Sequence, residues 1–416
     1  MNQRVRYERV GPSLQSGAIM ELAVLLGAGA SLPQMPSTRC ITKELIDAFD
    51  SWVGDSAANR PFRKATEQPV SYTHDHHSRG SLAELKRLFE AVVLLSTDPM
   101  TFEEVYSIAD QIRQHIDHEY DNNALEPTVY HLCRRLGTDW KPLDRLELKS
   151  KCRELLDLIN CVVKTGVGGS AWYTAPDGFP AHNLQVVLDL LKQEIVTRLH
   201  LLTTNFDVLV EEALKEQAIV YYDGFGCTPE FGGQVVRWEA DEHKFLTSGA
   251  VSLYKLHGSE NWSWVYGNEP FPLFLGKIVG RITAYPNLDG VGGIHRLRDD
   301  NNLLLSGKTN KLLAYNQGWA LDLAEAANRG MRMCQHLIVA GYGFSDEGIN
   351  FRLIHWMSRC ENRMLVIDPC FTNTLNVAKG AIQSRLTEWK QEGRMVAIED
   401  PLGEVTDAAL SEWLFD

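Results

Sequence analysis

The sequence predicts an α/β protein with a doubly wound, Rossmann-like parallel sheet and a large α-helical insertion. Residues 22–26 form a short, fully apolar run that ends in a glycine-rich loop, as is typical of a buried parallel strand. From residue 199 onward, strand-like apolar runs alternate with helical patterns, and this alternation favours a parallel sheet. Between residues 55 and 198 the patterns are helical, and no run convincingly indicates a strand. This span is therefore expected to be an insertion, or a helical domain, within an α/β chain.

Two helix starts in the inserted span carry a recognisable signal. Ser81 with Glu84, and Thr101 with Glu104, have the spacing of a capping box before an apolar run. The predicted helices cover residues 42–52, 81–95, 101–112, 143–163, 183–199, 206–217, 347–360 and 373–389. After the first strand, the predicted strands cover residues 200–204, 218–222, 251–256, 337–341, 364–368 and 395–399. Residues 1–54 and 199–416 are thus expected to form one domain, interrupted by a helical insertion at 55–198.

Composition excludes several classes of protein. The chain has 416 residues, of which 44% are hydrophobic and 23% charged, and these are ordinary values for a globular protein. Its formal net charge of -13 argues against a general nucleic-acid-binding surface. No apolar run approaches ~18 residues and the N-terminus lacks the apolar core of a signal peptide, so we expect a cytoplasmic protein without membrane contact. The eight cysteines form no C-x-x-C pair, which fits free thiols in a reducing compartment.

The glycine-rich loop GAGAS, residues 27–31, follows the first strand. Glycines at a strand-to-helix turn let backbone N–H groups approach an anion, and the helix N-terminus adds partial positive charge. The full G-x-G-x-x-G fingerprint is absent, because Leu32 occupies the position of the third glycine. The loop therefore either binds phosphate or is a tight turn that packs a helix on a strand.

Three more motifs place polar residues at predicted strand ends. Asn205 and Asp207, in TTNFD, follow an apolar strand where ligands bind in open α/β sheets. Alternatively, Asn205 is a helix cap and Asp207 interacts favourably with the helix dipole. His257, in LHGS, is a candidate general base or one structural histidine among 13. Asp368, in VIDP, is placed to bind ribose hydroxyls or to begin a loop. A second glycine-rich strand end lies at residues 341–343.

Taken in order, these motifs resemble those of the sirtuin-like (silent information regulator type) NAD-binding family, and more closely its bacterial antiviral-defence branch. The order is G-A-G-x-S, T-N-x-D, L-H-G-S, a glycine-rich strand end and a strand ending in a polar residue. The resemblance covers roughly residues 20–40 and 199–370. It implies a Rossmann-like NAD-binding domain.

The resemblance also implies roles for single residues. Asn205 matches the asparagine beside the nicotinamide ribose, where water can be positioned, and Asp207 matches the aspartate of the nicotinamide side. His257 matches the catalytic histidine. The residues expected to bind the NAD+ pyrophosphate and nicotinamide ribose are Gly27, Ala28, Gly29 and Ser31. Pro36 and Thr204 are further residues expected to bind NAD+. Those expected on the adenosine side are Gly341, Tyr342, Ser345 and Asp368.

Two departures from the deacylating sirtuins are informative. Those enzymes carry two C-x-x-C pairs after the histidine motif, whereas residues 258–340 contain only Cys334, so we expect no zinc. The family's G-I-P-D-F-R segment is reduced here to MPSTR at 35–39, which would remove the aromatic that shields the ribose carbon from water. Both losses disfavour a protein deacylase acting on acyl-lysine.

The leading hypothesis is an NAD+ glycohydrolase that releases nicotinamide and ADP-ribose and depletes NAD+ in anti-phage defence. The alternative is a sensor or assembly subunit that binds NAD or ADP-ribose without turnover. Because a depleting enzyme must be restrained, we expect a homo-oligomer or a partner. The resemblance makes a HerA-type ATPase, or another defence-system protein, a candidate partner, and no direct nucleic-acid contact is expected.

Two weaker signals remain. Residues 74–77, HDHH, offer metal ligands, but ligands bunched this closely usually lie in a solvated loop, so no metal is expected there. Trp262 and Trp264 alternate after the histidine motif, which predicts one buried and one partly exposed strand residue.

Overall fold

A computed structural model gives the fold of the chain. It describes residues 20–31, 41–43, 45–46, 79–95, 100–119, 122–137, 141–168, 179–192, 196–228, 235–239, 241–269, 271–278, 315, 318–378 and 380–415. The strands are β1 Met20–Leu26, β2 Val196–Thr203, β3 Tyr221–Tyr222, β4 Val235–Arg237, β5 Val251–Lys255, β6 Trp262–Glu269, β7 Phe271–Ile278, β8 His336–Ala340, β9 Arg363–Ile367 and β10 Met395–Ile398.

The main sheet has seven strands in the order β10-β9-β8-β1-β2-β5-β3, and all of its strand pairs are parallel. From β1, the strand order proceeds through β2 on one side and through β8 on the other. The strand order therefore reverses between β1 and β8, which is where open α/β sheets form their ligand crevice. The predicted doubly wound α/β fold is confirmed.

Helices cover both faces of this sheet. The described helices are α1 Arg79–Val93, α2 Phe102–Ile116, α3 Glu126–Leu136, α4 Arg145–Gly168, α5 Phe179–Asp189, α6 Leu209–Glu216, α7 Glu242–Thr247, α8 Gly318–Met333, α9 Glu347–Trp356, α10 Phe371–Val377, α11 Ile382–Gln391 and α12 Asp407–Phe415. Short 3-10 turns lie at Ala28–Ser31, Asn123–Leu125, Leu190–Lys192 and Leu402–Glu404. No helix among the described residues is long and apolar enough to cross a membrane.

Side chains of β1 alternate between two apolar cores, as the period of a strand requires. Ala23 and Leu25 face a core shared with α8, α9 and α11, whereas Leu22, Val24 and Leu26 face a core shared with α5, α6 and α12. All five residues are at most 1% exposed. Burial on both faces explains why this strand is an unbroken apolar run in the sequence.

Helices α1 to α4 enclose an apolar core of their own, which includes Leu88, Ile112 and Leu155. Leu209, the first residue of α6, belongs to this core, and Phe206 packs against it. The helical cluster therefore contacts the segment that follows β2, where the sequence predicts a functional site. Helix α5 instead packs on α6 and the sheet. The predicted boundaries at residues 54 and 198 stay predictions.

Some predicted elements differ from the observed ones. The helix predicted at 183–199 ends early, and Val196 begins β2, because Val196, Leu199 and Leu201 are buried in the sheet core. The helix predicted at 373–389 is two helices, α10 and α11, with Gly380 between them at a φ of 69°. Ser81 lies inside α1 instead of capping it. By contrast, the capping box of α2 is confirmed, since the Thr101 N–H donates to Glu104 Oε2 at 2.8 Å.

A small antiparallel sheet of β4, β7 and β6 lies outside the predicted elements, apart from the strand around Trp262. Trp262 is fully buried, as predicted for one of the two tryptophans, and packs edge-on against Trp319 of α8. Helices α3, α7, α8 and α12 also lie outside the predicted elements. The side chain of Trp264 lies outside the described part of the chain.

Candidate functional site

The candidate site lies at the carboxyl ends of β1, β2, β5 and β8. Each of these strands ends in one of the sequence motifs: residues 27–31 follow β1, Asn205 and Asp207 follow β2, His257 follows β5, and Gly341 follows β8. Because the strands are parallel neighbours, their carboxyl ends share one edge of the sheet. The fold thus brings together motifs that are far apart in the sequence.

The glycine loop after β1 packs directly on the backbone after β8. Gly27 N–H donates to Ala340 O and Gly29 N–H donates to Gly341 O, both at 2.9 Å. A Cβ on Gly27 would lie 2.5 Å from Gly341 O, and one on Gly29 would lie 2.9 Å from Gly341 Cα. The glycines are therefore required for this close approach of the two backbone segments. Three of the loop's amides, those of Gly27, Gly29 and Ala30, donate to protein carbonyls, and the contacts predicted between this loop and NAD+ stay predictions.

Ser31, Asn205 and Asp207 form one buried hydrogen-bonded network. Asn205 Nδ2 donates to Ser31 Oγ at 2.7 Å and to Gly27 O at 3.0 Å. Ser31 Oγ in turn donates to Asp207 Oδ2 at 3.0 Å. All three residues are at most 7% exposed, so the network has a fixed geometry. It ties the end of β1 to the end of β2.

The alternative in which Asn205 caps the helix is wrong, because the N-cap of α6 is Val208, and Asp207 lies one residue before it. Asp207 Oδ1 accepts the N–H of Leu209 at 3.1 Å, at the start of α6. Asn205 donates its side-chain amide to the glycine loop instead. Thr204 N–H donates to Leu26 O at 3.0 Å, which anchors the same turn to β1.

A buried ion pair between Lys255 and Glu211 contacts the turn that follows β2. Lys255, the last residue of β5, is 1% exposed, and its Nζ donates to Asp207 O and lies 3.0 Å from Glu211 Oε1. Burial raises the pKa of the Glu211 carboxyl, and the nearby ammonium acts in the opposite direction. A buried charge is tolerated only when it is paired and hydrogen-bonded, which describes Lys255 here.

His257 is paired with an acid that the sequence analysis did not single out. Its Nε2 lies 2.9 Å from Asp346 Oδ2, and both residues are buried. The imidazole is 6.1 Å from the Phe206 ring, between centroids, and Phe206 lies in the chain between Asn205 and Asp207. Tyr315 donates its hydroxyl to the same Asp346 oxygen at 3.3 Å. Burial and the Asp346 charge together raise the pKa of Tyr315 well above its usual value, so it remains a neutral donor.

Asp346 also caps α9. Its Oδ1 accepts the N–H of Ile349 at 3.0 Å, while Oδ2 faces His257 and Tyr315. The cap fixes the carboxylate, which in turn orients the imidazole ring. The sequence did carry a signal, because Asp346 precedes a predicted helix as an N-cap does. Its pairing with a histidine 89 residues away was not visible locally.

The residues predicted on the adenosine side have several environments. The Tyr342 side chain is buried, and its hydroxyl lies 3.1 Å from both Asp346 O and Asn350 Oδ1. Asp368 accepts from Cys370 N–H at 2.8 Å and from Thr374 Oγ at 2.6 Å, at the start of α10. Ser345 is exposed at the same edge of the sheet. The loop-starting alternative for Asp368 is thus seen, and a role of these residues in binding adenosine stays a prediction.

Several predicted features lie outside the described residues. These are Pro36 with the rest of segment 35–39, and the histidine-rich stretch 74–77. Among the residues that are described, Glu21, His200 and Cys334 place potential metal ligands within 4.8 Å of one another. His200 Nε2 already lies 3.0 Å from Glu21 Oε2, and Nδ1 lies 3.0 Å from the Tyr254 hydroxyl. Cys334 Sγ donates instead to Gly330 O at 3.4 Å, and the expectation of no metal stays a prediction.

Comparison with known protein families agrees with this arrangement of strand-end motifs. Residues 199–392 match the family model of the SIR2-like domain. The match includes Asn205, Asp207, His257 and Asp346, and it supports the sirtuin-like family. No curated protein matches the chain. The SIR2-like domain fits a protein that binds or processes NAD. Strand β1 and the 27–31 loop lie outside the matched residues, but β1 lies in the same sheet, between β8 and β2.

Proposed function

We propose that this protein is an NAD+ glycohydrolase, which cleaves NAD+ to nicotinamide and ADP-ribose. One observation carries the proposal: a buried histidine–carboxylate pair lies at the same sheet edge as the Ser31–Asn205–Asp207 network. The distance of 2.9 Å between His257 Nε2 and Asp346 Oδ2 is that of an oriented acid–base pair. The SIR2-like match supports NAD as the substrate.

The chemistry requires little acid catalysis. Cleavage of the bond between ribose and nicotinamide develops oxocarbenium character at the ribose carbon. The pyridinium leaving group takes the bonding electrons and departs as neutral nicotinamide. A water oxygen forms the new bond to the ribose carbon, and the proton that it loses must reach a base. His257 is that base in the proposal, and it passes the proton to solvent.

Asp346 suits this role for His257. When neutral His257 donates its Nε2 hydrogen to Asp346, the ring lone pair is on Nδ1, and that nitrogen takes up the proton. The carboxylate then stabilises the imidazolium as it forms, as the acid does in a catalytic triad. Asp346 is therefore a positioning residue in the proposal, while His257 is the catalytic residue.

Asn205 is the proposed water-orienting residue, with one constraint from its contacts. Both hydrogens of its side-chain amide are used, by Gly27 O and by Ser31 Oγ. Only Oδ1 is therefore suited to accept a hydrogen from the attacking water. Asp207, held by Ser31 and by the start of α6, is proposed to organise the nicotinamide side.

The second candidate function is binding of NAD or ADP-ribose without turnover, as a sensor or assembly subunit. The internal hydrogen bonds of Ser31, Asn205 and Asp207 favour it, because side chains committed to one another suit a rigid binding surface. A protein deacylase is less favoured, since the chain lacks the C-x-x-C pairs of that class.

Nicotinamide release by the purified protein tests these functions against each other. We expect release from NAD+ by the wild-type chain, with losses of roughly 10²- to 10⁴-fold in His257→Ala. A loss is also expected in Asn205→Ala, and a smaller fall in kcat with little change in KM in Asp346→Asn. His243→Ala, on the exposed surface, is the matched control. Full turnover by both His257→Ala and Asn205→Ala would refute the assignment, and NAD+ binding without release would establish the second function. An acyl-peptide substrate in parallel tests the deacylase.

We extend the proposal to a cytoplasmic effector of anti-phage defence that works by NAD+ depletion. Its support is the resemblance of the motif order to the antiviral branch, and the same resemblance suggests a homo-oligomer or a HerA-type ATPase partner. Cellular NAD+ should fall after phage infection in bacteria that express the wild-type chain together with its neighbouring gene. Unchanged NAD+ and unchanged phage yield would refute this role without affecting the reaction itself.

A further inference from the structure

A cavity lies between α8 and α9. Its volume is about 330 Å³, and its lining includes Tyr315, Arg332, Phe351, Arg352, His355 and Trp356. No residue of the 27–31 loop, and neither Asn205 nor His257, is among the residues that line it. This volume is at the lower end of the range for small-molecule sites, roughly 300–1,000 Å³.

The residues that line this cavity carry positive charge, whereas the whole chain is negatively charged. Arg332, Arg352 and His355 are basic, and no acidic residue lines the cavity in the part of the chain that the structure describes. The chain as a whole has a formal net charge of -13. The two guanidinium groups of Arg332 and Arg352 are therefore a local concentration of positive charge, and they favour an anionic ligand.

The buried Nε of Arg352 is a hydrogen-bond donor without a partner among the described residues. By contrast, Arg352 Nη1 donates to Gly348 O at 3.0 Å. Burial lowers the pKa of this guanidinium from its usual value. A buried unpaired donor costs free energy, and an anion bound in the cavity would supply the missing acceptor.

The remaining lining is aromatic. Trp356 and Tyr315 are buried at the base of the cavity, while Phe351 is 60% exposed at its edge. An exposed aromatic face next to cationic side chains suits a ligand that has both a planar ring and an anionic group. A nucleoside monophosphate combines these features at a size that matches the cavity.

We propose that this cavity is a second ligand site, which binds a nucleoside monophosphate or a ligand of the same chemistry, a phosphate ester attached to a planar base. The phosphate pairs with Arg332 and Arg352, and the base packs against Phe351. The site differs from the SIR2-like crevice, because its lining includes none of residues 27–31, Asn205, Asp207 or His257.

The cavity is also connected to His257 through a short chain of contacts. The Arg352 guanidinium carbon lies 4.5 Å from the centre of the Tyr315 ring. Tyr315 donates to the Asp346 oxygen that also lies 2.9 Å from His257 Nε2. A ligand that draws Arg352 away from Tyr315 changes the surroundings of this carboxylate. This part of the inference rests on the proposed function, and it predicts that ligand binding changes the rate of nicotinamide release.

Binding of adenosine monophosphate, measured by calorimetry on the full chain, tests the site independently of any activity. We expect binding by the wild-type chain, weaker binding of adenosine, and a loss of affinity of about tenfold or more in Arg332→Ala and Phe351→Ala. Both side chains are exposed, so neither change threatens the fold. Arg385→Ala, an exposed arginine of α11, is the charge-matched control and should bind normally.

A His257→Ala variant shows which site the nucleotide occupies. Unchanged affinity in this variant supports the second site, whereas a loss there with normal affinity in Arg332→Ala would place the nucleotide in the crevice and overturn the proposal. The absence of any binding would overturn it as well.

Tyr315→Phe tests the connection, because it removes the hydroxyl contact with Asp346 and keeps the ring beneath Arg352. The nucleotide should alter nicotinamide release in the wild-type chain and leave the rate of this variant unchanged. Equal rates with and without nucleotide in the wild-type chain would refute the connection. A wild-type chain that binds the nucleotide but releases no nicotinamide would refute the proposed function and leave the site established.

Discussion

Replacement of Gly341 by alanine should disrupt the contact on which the candidate site is built. Gly341 has a φ of 61°, in the left-handed region. A Cβ at this position would lie 2.2 Å from Ala30 N and 2.5 Å from Gly29 C, both of them backbone atoms of the glycine loop. Backbone cannot rotate aside as a side chain can, so the loop after β1 has to move.

The magnitude follows from two contributions. Left-handed backbone costs an alanine about 1–2 kcal/mol. Forcing an extra carbon into a packed region costs about 1–3 kcal/mol more. The free energy of unfolding should therefore fall by about 2–5 kcal/mol in Gly341→Ala.

Gly380 is a matched control for the conformational contribution. Its φ is 69°, and a Cβ there would meet nothing within 4 Å, so Gly380→Ala should cost only about 1–2 kcal/mol. Urea unfolding followed by tryptophan fluorescence gives both values, and NAD+ binding should weaken only in Gly341→Ala. Equal losses of stability in the two variants would refute the close approach of the 341 and 27–31 backbones.

Three further predictions concern stability. Lys255→Met should lower the free energy of unfolding by about 3–5 kcal/mol, because it leaves the Glu211 carboxylate buried without its partner, and adding Glu211→Leu should recover most of the loss in urea unfolding. Burial, with a smaller effect of Arg363, lowers the pKa of His336 to about 4, so the unfolded chain takes up a proton below pH ~6.5 while the folded chain does not. The free energy of unfolding should therefore fall as the pH is lowered from ~6.5 to about 4. The same pH dependence of the free energy of unfolding in His336→Phe would contradict this cause. Asp346→Ala should cost about 0.5–2 kcal/mol through the lost cap of α9, whereas Asp346→Asn, which keeps an acceptor for the Ile349 N–H, should cost less in thermal unfolding.

Much of the main sheet was predictable, because its strands are short and buried on both faces. Residues 22–26, 337–340 and 364–367 are apolar throughout, and the run 251–256 is interrupted only by Ser252 and Lys255. Such runs are typical of strands that are buried on both faces of an α/β sheet. The prediction of one helix over residues 183–199 was wrong, because the apolar spacing of the whole segment also fits a helix. Only the core around β2 selects the strand from residue 196 onward. Strands β4, β6 and β7 depend on pairing with one another, which no local pattern records.

The site residues that directly follow a predicted strand were predictable from the sequence. Asn205, Asp207 and His257 were predicted because each follows an apolar run, and neighbouring parallel strands bring their ends to one edge. Asp346 was missed as a functional residue, because its partner His257 is 89 residues away. The sequence also could not predict that both side-chain amide hydrogens of Asn205 are used in hydrogen bonds to Gly27 O and Ser31 Oγ, since these bonds depend on the position of Ser31 in the fold.

The sequence by itself determined the fold class, the strand ends that carry polar residues and the resemblance to a SIR2-like domain. Periodicity and capping patterns depend on residues that are close together in the chain, so the sequence alone shows them. Tertiary structure alone decided which strand ends are neighbours, that Gly29 contacts Gly341, that Asp346 pairs with His257, and that Arg332 and Arg352 share a cavity. Each of these contacts depends on the strand order of the sheet and the packing of its helices, and the free energy that selects it comes from groups far apart in the chain.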